Sequence, residues 1–145
     1  MVECYLNNET VKFDEENPLA SFMFNTAKKD LNRINNIHLL ESPLYSDKLR
    51  VAGRVDCIAE FDGELAVIDF KTSTKPKQEK WIENYFVQET AYAVMYYERC
   101  NVQVEKIVTI IAVEDGTMQI IEKTDLDYYY QLLIEYIDEF MAVLK

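Results

Sequence analysis

Asp62-Gly63, set between two strand-like runs, is the feature that most constrains this chain. A two-residue turn of this kind joins two antiparallel strands tightly, because its central residues need positive φ and Asp and Gly tolerate it. The run from Leu49 to Phe61 and the run from Glu64 to Lys71 therefore read as one hairpin. With two turn residues and no bulge, partners across it carry numbers that add to 125, so Phe61 faces Glu64, Ile58 faces Val67 and Asp56 faces Asp69. Counted outward from a hydrogen-bonded Phe61/Glu64 pair, Asp56/Asp69 falls on a non-hydrogen-bonded pair, where Cα atoms approach to about 4.5 Å. The same rule sets Arg54 opposite Lys71, on the face that carries both aspartates.

Like charges directly opposite each other are destabilising, so this register asks for a compensating cation. Hard carboxylate oxygens suit Mg²⁺ or Mn²⁺. Ile68 and Phe70 point to the other, buried face and anchor the strand, leaving Asp69 and Lys71 in a cleft. For any one of these residues a solvated sheet face dotted with charges is an equal reading. Four of them in register favour a site.

The rest of the chain frames that hairpin. Apolar positions Leu19, Phe22, Met23, Ala27, Leu31 and Ile34 predict an amphipathic helix from Pro18 to Asn35, preceded by the tail of a helix at Val2 to Asn8 and a polar connection from Asn7 to Pro18. Ile37 to Glu41 reads as a strand, followed by a turn region containing Pro43. After a polar loop from Ser73 to Lys80 comes a long aromatic-rich helix, Trp81 to Arg99, then strands at Glu105 to Val113 and Met118 to Ile121. A last helix starts near Thr124, capped by the T-x-x-D pair Thr124 and Asp127, with Leu126, Tyr130, Leu133, Ile137 and Met141 or Phe140 as its buried stripe. The order α-β-β-β-α-β-β-α implies an α/β domain with a mixed central β-sheet flanked by helices.

Composition narrows the chemistry. Three glycines leave no room for a dinucleotide-binding or phosphate-cradling glycine loop, and a single histidine, His38, excludes the two-histidine zinc motifs. Cys4, Cys57 and Cys100 are widely spaced and odd in number, which fits neither a disulfide framework nor a four-cysteine cluster, and points to a reducing cytoplasm. No apolar run is long enough for a membrane span, and the N-terminus lacks a signal-peptide pattern. Carboxylates and lysines must carry most of any chemistry.

Three ordered motifs then stand out: Gly53-Arg54-Val55-Asp56, Ile68-Asp69-Phe70-Lys71-Thr72-Ser73 and Gln88-Glu89-Thr90-Ala91-Tyr92. They resemble the G-x-x-D, D-x-K and Q-x-x-x-Y motifs of the PD-(D/E)xK nuclease superfamily, in its RecB-like branch, and within that branch the phage-encoded and mitochondrial genome maintenance exonucleases. The resemblance runs from about Leu39 to Arg99. It implies a restriction-endonuclease-like core and a metal-dependent DNA exonuclease, with Asp56, Asp69 and the Phe70 carbonyl holding Mg²⁺ or Mn²⁺. Lys71 would position or deprotonate the attacking water and stabilise developing charge. Glu41 matches the family's acidic position on the preceding strand, with a surface acid at a strand end as an equal reading. Gln88 and Tyr92, four apart on one helical face, would hold the site and approach DNA, while for Tyr92 core packing beside Tyr85 and Tyr96 is the stronger reading.

One position departs from the pattern. RecB-like nucleases carry a metal-binding histidine on a helix well upstream of G-x-x-D, and His38 sits next to the first strand instead, where it reads as a packing or strand-edge residue. The chain accordingly reads as a single nuclease-like domain over residues 1–145, shortened at its N-terminus.

The formal charge of −11 opposes nonspecific binding to polyanions. Between Asp47 and Lys80, however, seven bases meet seven acids, so the whole negative excess lies elsewhere. Phosphate contacts are expected from Lys75, Lys77 and Lys80, aided by the partly positive end of a helix beginning near Glu79. The expected partners are DNA, as single strands or ends, and a recombination protein, in a cytoplasm that is the host's if a phage encodes the chain. The competing readings are a catalytically impaired nuclease fold that docks DNA or protein, and an acidic interaction domain.

Overall fold

The computed structural model describes Lys28 and residues 30–144. Five strands form one sheet in the order β1-β2-β3-β4-β5: β1 (Ile34–Ser46), β2 (Val51–Phe61), β3 (Glu64–Ser73), β4 (Lys106–Val113) and β5 (Met118–Lys123). Two long helices flank it among the described residues, α1 (Glu83–Cys100) between β3 and β4 and α2 (Leu126–Leu144) after β5. The sheet is mixed, as expected: β3 and β4 pair in parallel and the other neighbours are antiparallel. A parallel pair needs a long crossover, which α1 supplies. The expected elements at residues 2–18, and most of the helix expected from Pro18, lie outside the described residues.

The Asp62-Gly63 turn has the conformation that its residues allow, with φ of 52° and 87°. From Phe61/Glu64 to Cys57/Ile68 every pair obeys the expected register. Arg33 stacks its guanidinium 4.4 Å over the Phe61 ring, donates from Nε to Asp62 Oδ1 at 2.9 Å, and accepts the Asp62 backbone N–H at 3.0 Å. These contacts explain a correction. Lys28, Asp30 and Leu31 are helical, but Asn32 and Arg33 turn and Ile34 already pairs with Phe61, so the first helix stops short of Asn35.

Pro43 is not in a turn. It lies within β1 opposite Arg54, and an edge strand accepts a residue that cannot donate to a ladder. The turn falls at 47–50, where Ser46 Oγ accepts the Leu49 N–H at 3.0 Å. The helix expected at Trp81 divides: Glu79–Trp81 is a single 3₁₀ turn, and α1 begins at Glu83. The α-helical N-terminus therefore lies four residues beyond the expected Glu79. α1 ends on Asn101 in the left-handed conformation, whose N–H returns to the Tyr97 carbonyl. α2 starts at Leu126, too late for Thr124 to be its cap, and Phe140 is 61% exposed, leaving Met141 as the partly buried end of the stripe.

Apolar residues cover both faces of the sheet. On one face Val55, Ile58, Val67, Ile107 and Ile111 pack against Phe86, Val87, Ala91 and Tyr96 of α1 and Tyr129 and Leu133 of α2. On the other, Cys57, Ala59, Phe61, Ala66, Ile68, Val108 and Ile110 cluster with Leu31 and Ile34. β4 is buried along most of its length, which accounts for its nearly continuous apolar run. No helix among the described residues is long and apolar enough to cross a membrane.

Candidate active site

The β2–β3 ladder stops at Cys57/Ile68. One residue further on, Asp56 Oδ2 accepts the Phe70 backbone N–H at 3.0 Å, so a side chain takes the place of main-chain pairing. The backbone pairs expected for Asp56/Asp69 and Arg54/Lys71 are not made. Side-chain alternation breaks here too. Val55 and Ile58, three residues apart, share the helix-covered face, and Gly53 points at Tyr92 of α1. On β1, Leu39 and Leu44 share that face across an odd interval, with Glu41 between them at φ 48°. Both strands thus change phase beside the aspartates.

That phase change moves Arg54. With Gly53 and Val55 facing the helices, Arg54 faces away from Lys71. Its side chain is 67% exposed and donates from Nε to Glu41 Oε2 at 3.2 Å. The structure pairs Glu41 with Arg54 and does not gather it with Asp56 and Asp69. The same twist gives Gly53 its reason: a Cβ there would lie 2.8 Å from the Tyr92 hydroxyl and 2.9 Å from its ring.

Asp56 and Asp69 do converge, by their side chains. Burial, and then a hydrogen bond and charge from Asp69, raise the Asp56 carboxyl to about 7, although the Phe70 N–H opposes the shift. Asp69 is 6% exposed. Its Oδ2 accepts no hydrogen bond, because Lys71 Nζ, 3.1 Å away, approaches it as a charge without hydrogen-bond geometry. A buried carboxylate oxygen without a hydrogen bond, beside a second carboxyl group, is the donor chemistry of a hard divalent cation. Among the described residues the convergence stops at this pair: no group of three or more His, Cys, Asp or Glu side chains could hold a metal.

Lys71 remains a cation. Burial works against its charge, but the charge and contact of Asp69, with Asp56 behind it, outweigh burial and raise its pKa. The ammonium also lies 4.9 Å from the centre of the Tyr85 ring, on the first turn of α1. Gln88 Nε2 donates to the Tyr92 hydroxyl at 3.3 Å, and Tyr92 is buried, its phenol pushed up by burial and by Asp69. Tyr92 thus packs in the core and touches the rear of the site at once. Lys75, Lys77 and Lys80 are exposed on the loop after β3. His38 lies on β1 with Nδ1 2.8 Å from the Tyr96 hydroxyl. Burial pushes the Cys57 thiol up to about 12, which leaves it inert.

Sequence reasoning missed Glu89. It is fully buried, and both its oxygens lie 2.7 Å from Thr109 Oγ1. Thr109 is the residue of β4 directly beside Asp69. Burial raises the Glu89 carboxyl to about 9, against the Thr109 hydrogen bond, and the nearby aspartates add to the rise. A carboxyl group biased by burial toward its neutral form thus backs the two aspartates. The signal was present: Ile82, Phe86, Glu89, Ala93 and Tyr96 share one helical stripe, and an acid in an apolar stripe is out of place.

Comparison with known proteins identifies the family of the chain. The sequence matches the PD-(D/E)XK nuclease superfamily profile over residues 5–132. It is 34% identical over 114 residues to mitochondrial genome maintenance exonuclease 1 of Homo sapiens, covering 75% of this chain and 33% of that protein, and 33% identical over 114 residues to the Mus musculus protein. The chain therefore spans about a third of the length of these curated relatives. A crystal structure described as "Putative exonuclease" from Eubacterium rectale superposes with a TM-score of 0.66 at 13% identity, over 97% of this chain and 62% of that one, which is a likeness of fold.

Proposed function

From the premise that this chain belongs to the PD-(D/E)XK nuclease superfamily, we propose that it is a metal-dependent DNA exonuclease that hydrolyses phosphodiester bonds at Asp56, Asp69 and Lys71. The observation that carries this reading is the hydrogen-bond-free, buried Asp69 oxygen beside Asp56 and the Lys71 ammonium. Asp56, Asp69 and the Phe70 carbonyl would hold the divalent ion. A bound Mg²⁺ or Mn²⁺ supplies charge neutralisation and Lewis acidity toward a phosphodiester.

The chain's own residues do the rest. The Phe70 N–H fixes the Asp56 carboxylate, so this oxygen needs no reorganisation when substrate arrives. Lys71, held cationic by Asp69, places a positive charge where negative charge grows on the phosphate oxygens, and can orient a water by hydrogen bonding. Tyr85 borders the ammonium and limits its wandering. Glu89 and Thr109 back Asp69 with a neutral group, which spares the site a third negative charge. Glu41 with Arg54, and Gln88, are proposed to support the site or the DNA.

The test is degradation of end-labelled DNA with and without Mg²⁺ by the wild type and Lys71→Ala, both confirmed folded by circular dichroism. Removing a charge that acts on the transition state lowers the rate about a hundredfold or more. Equal cleavage by the two proteins refutes the role of Lys71. Binding of DNA with no cleavage by the wild type favours the second reading, a nuclease fold that docks DNA without cutting it.

A further inference from the structure

The five residues between α1 and β4 belong to no sheet, yet they alternate as a strand does. Val102 is half-buried and Val104 is buried, while Asn101, Gln103 and Glu105 are exposed. No backbone–backbone hydrogen bond among the described residues engages Val102, Gln103 or Val104. A segment that alternates and keeps its N–H and C=O groups free has the character of an unpaired edge, to which a second extended chain can add.

Two hollows meet along this edge. Both are bounded by Gln103, Val104, Leu126 and Asp127, so they form one trough. The larger, of about 570 Å³, lies at the turn end of the hairpin and takes in Glu64, Glu105 and Lys106. The smaller, of about 360 Å³, lies between α1 and α2 and is mainly apolar, with Ala93, Val94, Tyr97 and Tyr130 on its walls. The charge is one-sided. Lys106 is the only base on the lining and is already held, by Glu122 at its Nζ and by Glu64 Oε2 at 3.8 Å. Glu105 has only Gln103 Nε2, at 3.3 Å, and neither Glu105 nor Asp127 pairs with a cation among the described residues. A ligand complementary to this trough carries positive charge at one end and apolar surface at the other.

We propose that the trough is a docking site for an extended peptide segment of a partner protein. A Lys or Arg side chain of that segment faces Glu105 and Asp127, its apolar side chains enter the hollow between the helices, and its main chain pairs with residues 102–104. Glu64 stands five residues before Asp69 on β3, roughly 17 Å along the strand, so a docked peptide leaves the candidate active site open. The inference is independent of the nuclease reading.

The probes are labelled heptapeptides that alternate Leu with Arg, Leu with Lys, or Leu with Glu, followed by fluorescence anisotropy and by amide shifts in ¹⁵N–¹H spectra. The two basic peptides should bind, with shifts centred on residues 101–105 and 126–127 and none at Asp56, Asp69 or Lys71, and the acidic one should not. Glu105→Lys/Asp127→Lys should weaken binding about 5- to 30-fold, whereas Glu135→Lys/Asp138→Lys, the same change of charge at exposed positions elsewhere on α2, should stay within about twofold of the wild type. N-methylation of alternate peptide amides should also weaken binding, because it removes main-chain donors. No binding of either basic peptide up to millimolar concentration, or equal losses in the two double variants, overturns the docking site. Spermidine shifting the same residues, with the N-methylated peptide binding as well as its parent, assigns the trough to a small cation and overturns the peptide. Degradation of end-labelled DNA by Glu105→Lys/Asp127→Lys should match the wild type, so the nuclease reading stands or falls separately.

Discussion

The two ends of one hairpin differ in what they optimise. At the turn end, Asp62 and Gly63 adopt the positive φ that they tolerate, the ladder is regular, and Asp62 has Arg33 as its partner. At the open end the ladder stops, two carboxyl groups converge in a buried place, and one Asp69 oxygen accepts no hydrogen bond. The strands are the same, so the contrast isolates what the site costs the fold. The turn end is locally consistent, while the open end stores an electrostatic conflict that the divalent ion of the proposed mechanism would relieve. Proteins commonly give up stability in this way where they act.

The largest expected effect removes the conflict and the activity together. In Asp56→Asn the side-chain carbonyl can still accept the Phe70 N–H, while its amide can donate to Asp69. Cleavage should fall about a hundredfold or more, yet the metal-free protein should melt at a higher temperature than the wild type. The sign follows from linkage. Asp56 has a folded pKa raised to about 7, so its neutral form stabilises the fold at low pH, and that stability is lost as pH rises through about 7. The advantage of Asn should therefore be largest above pH 7. A lower melting temperature across the whole pH range would break the comparison.

Gly53→Ala tests the phase change that builds the open end. The new methyl would press on Tyr92 at 2.8 to 2.9 Å, and overpacking of this kind costs about 1–3 kcal/mol. Urea denaturation should show that loss, with part of it recovered in Gly53→Ala/Tyr92→Phe, where the nearest clashing atom is gone. An unaltered midpoint would mean that β2 does not approach α1 here as described.

Glu89→Gln should give a smaller, pH-graded effect. Because the folded carboxyl is raised to about 9, it contributes fully below its unfolded pKa, and its contribution fades as pH rises toward and through 9. Gln cannot ionise, and its carbonyl can still accept from Thr109. Differential scanning fluorimetry should show the variant gaining on the wild type progressively as pH rises from 5 to 9, with little difference near pH 5. Parallel curves at all pH values would show that Glu89 is ionised in the fold.

The smallest effect belongs to the turn end. Asp62→Asn keeps a residue that tolerates positive φ and loses only an exposed ion pair, so the melting temperature should move by about 2 °C or less. Asp62→Ala adds the backbone penalty and should move it further. A larger loss in the Asn variant would make the Arg33 ion pair, and not the turn geometry, the main support of this end.

Much of the molecule was legible in local pattern. The hairpin, its register down to Cys57/Ile68 and the mixed sheet follow from a two-residue turn and alternation, which act between near neighbours in sequence, whereas Asp56 and Asp69 approach by their side chains past the point where that register ends. Pro43 misled because its meaning depends on whether a strand lies at the edge of a sheet, which no local window states. Arg54 misled because alternation holds only while a strand keeps phase, and β2 loses phase at Asp56, where α1 packs Tyr92 against Gly53. Glu89 was invisible as a neighbour of the site because Thr109, twenty residues away, reaches it only through the parallel pairing of β3 with β4. The sequence by itself determined which residues could bear the chemistry, because side-chain type and turn chemistry are local. Tertiary structure alone decided their surroundings, because burial, and with it the protonation of Asp56 and Glu89, is set by what the rest of the chain packs around them.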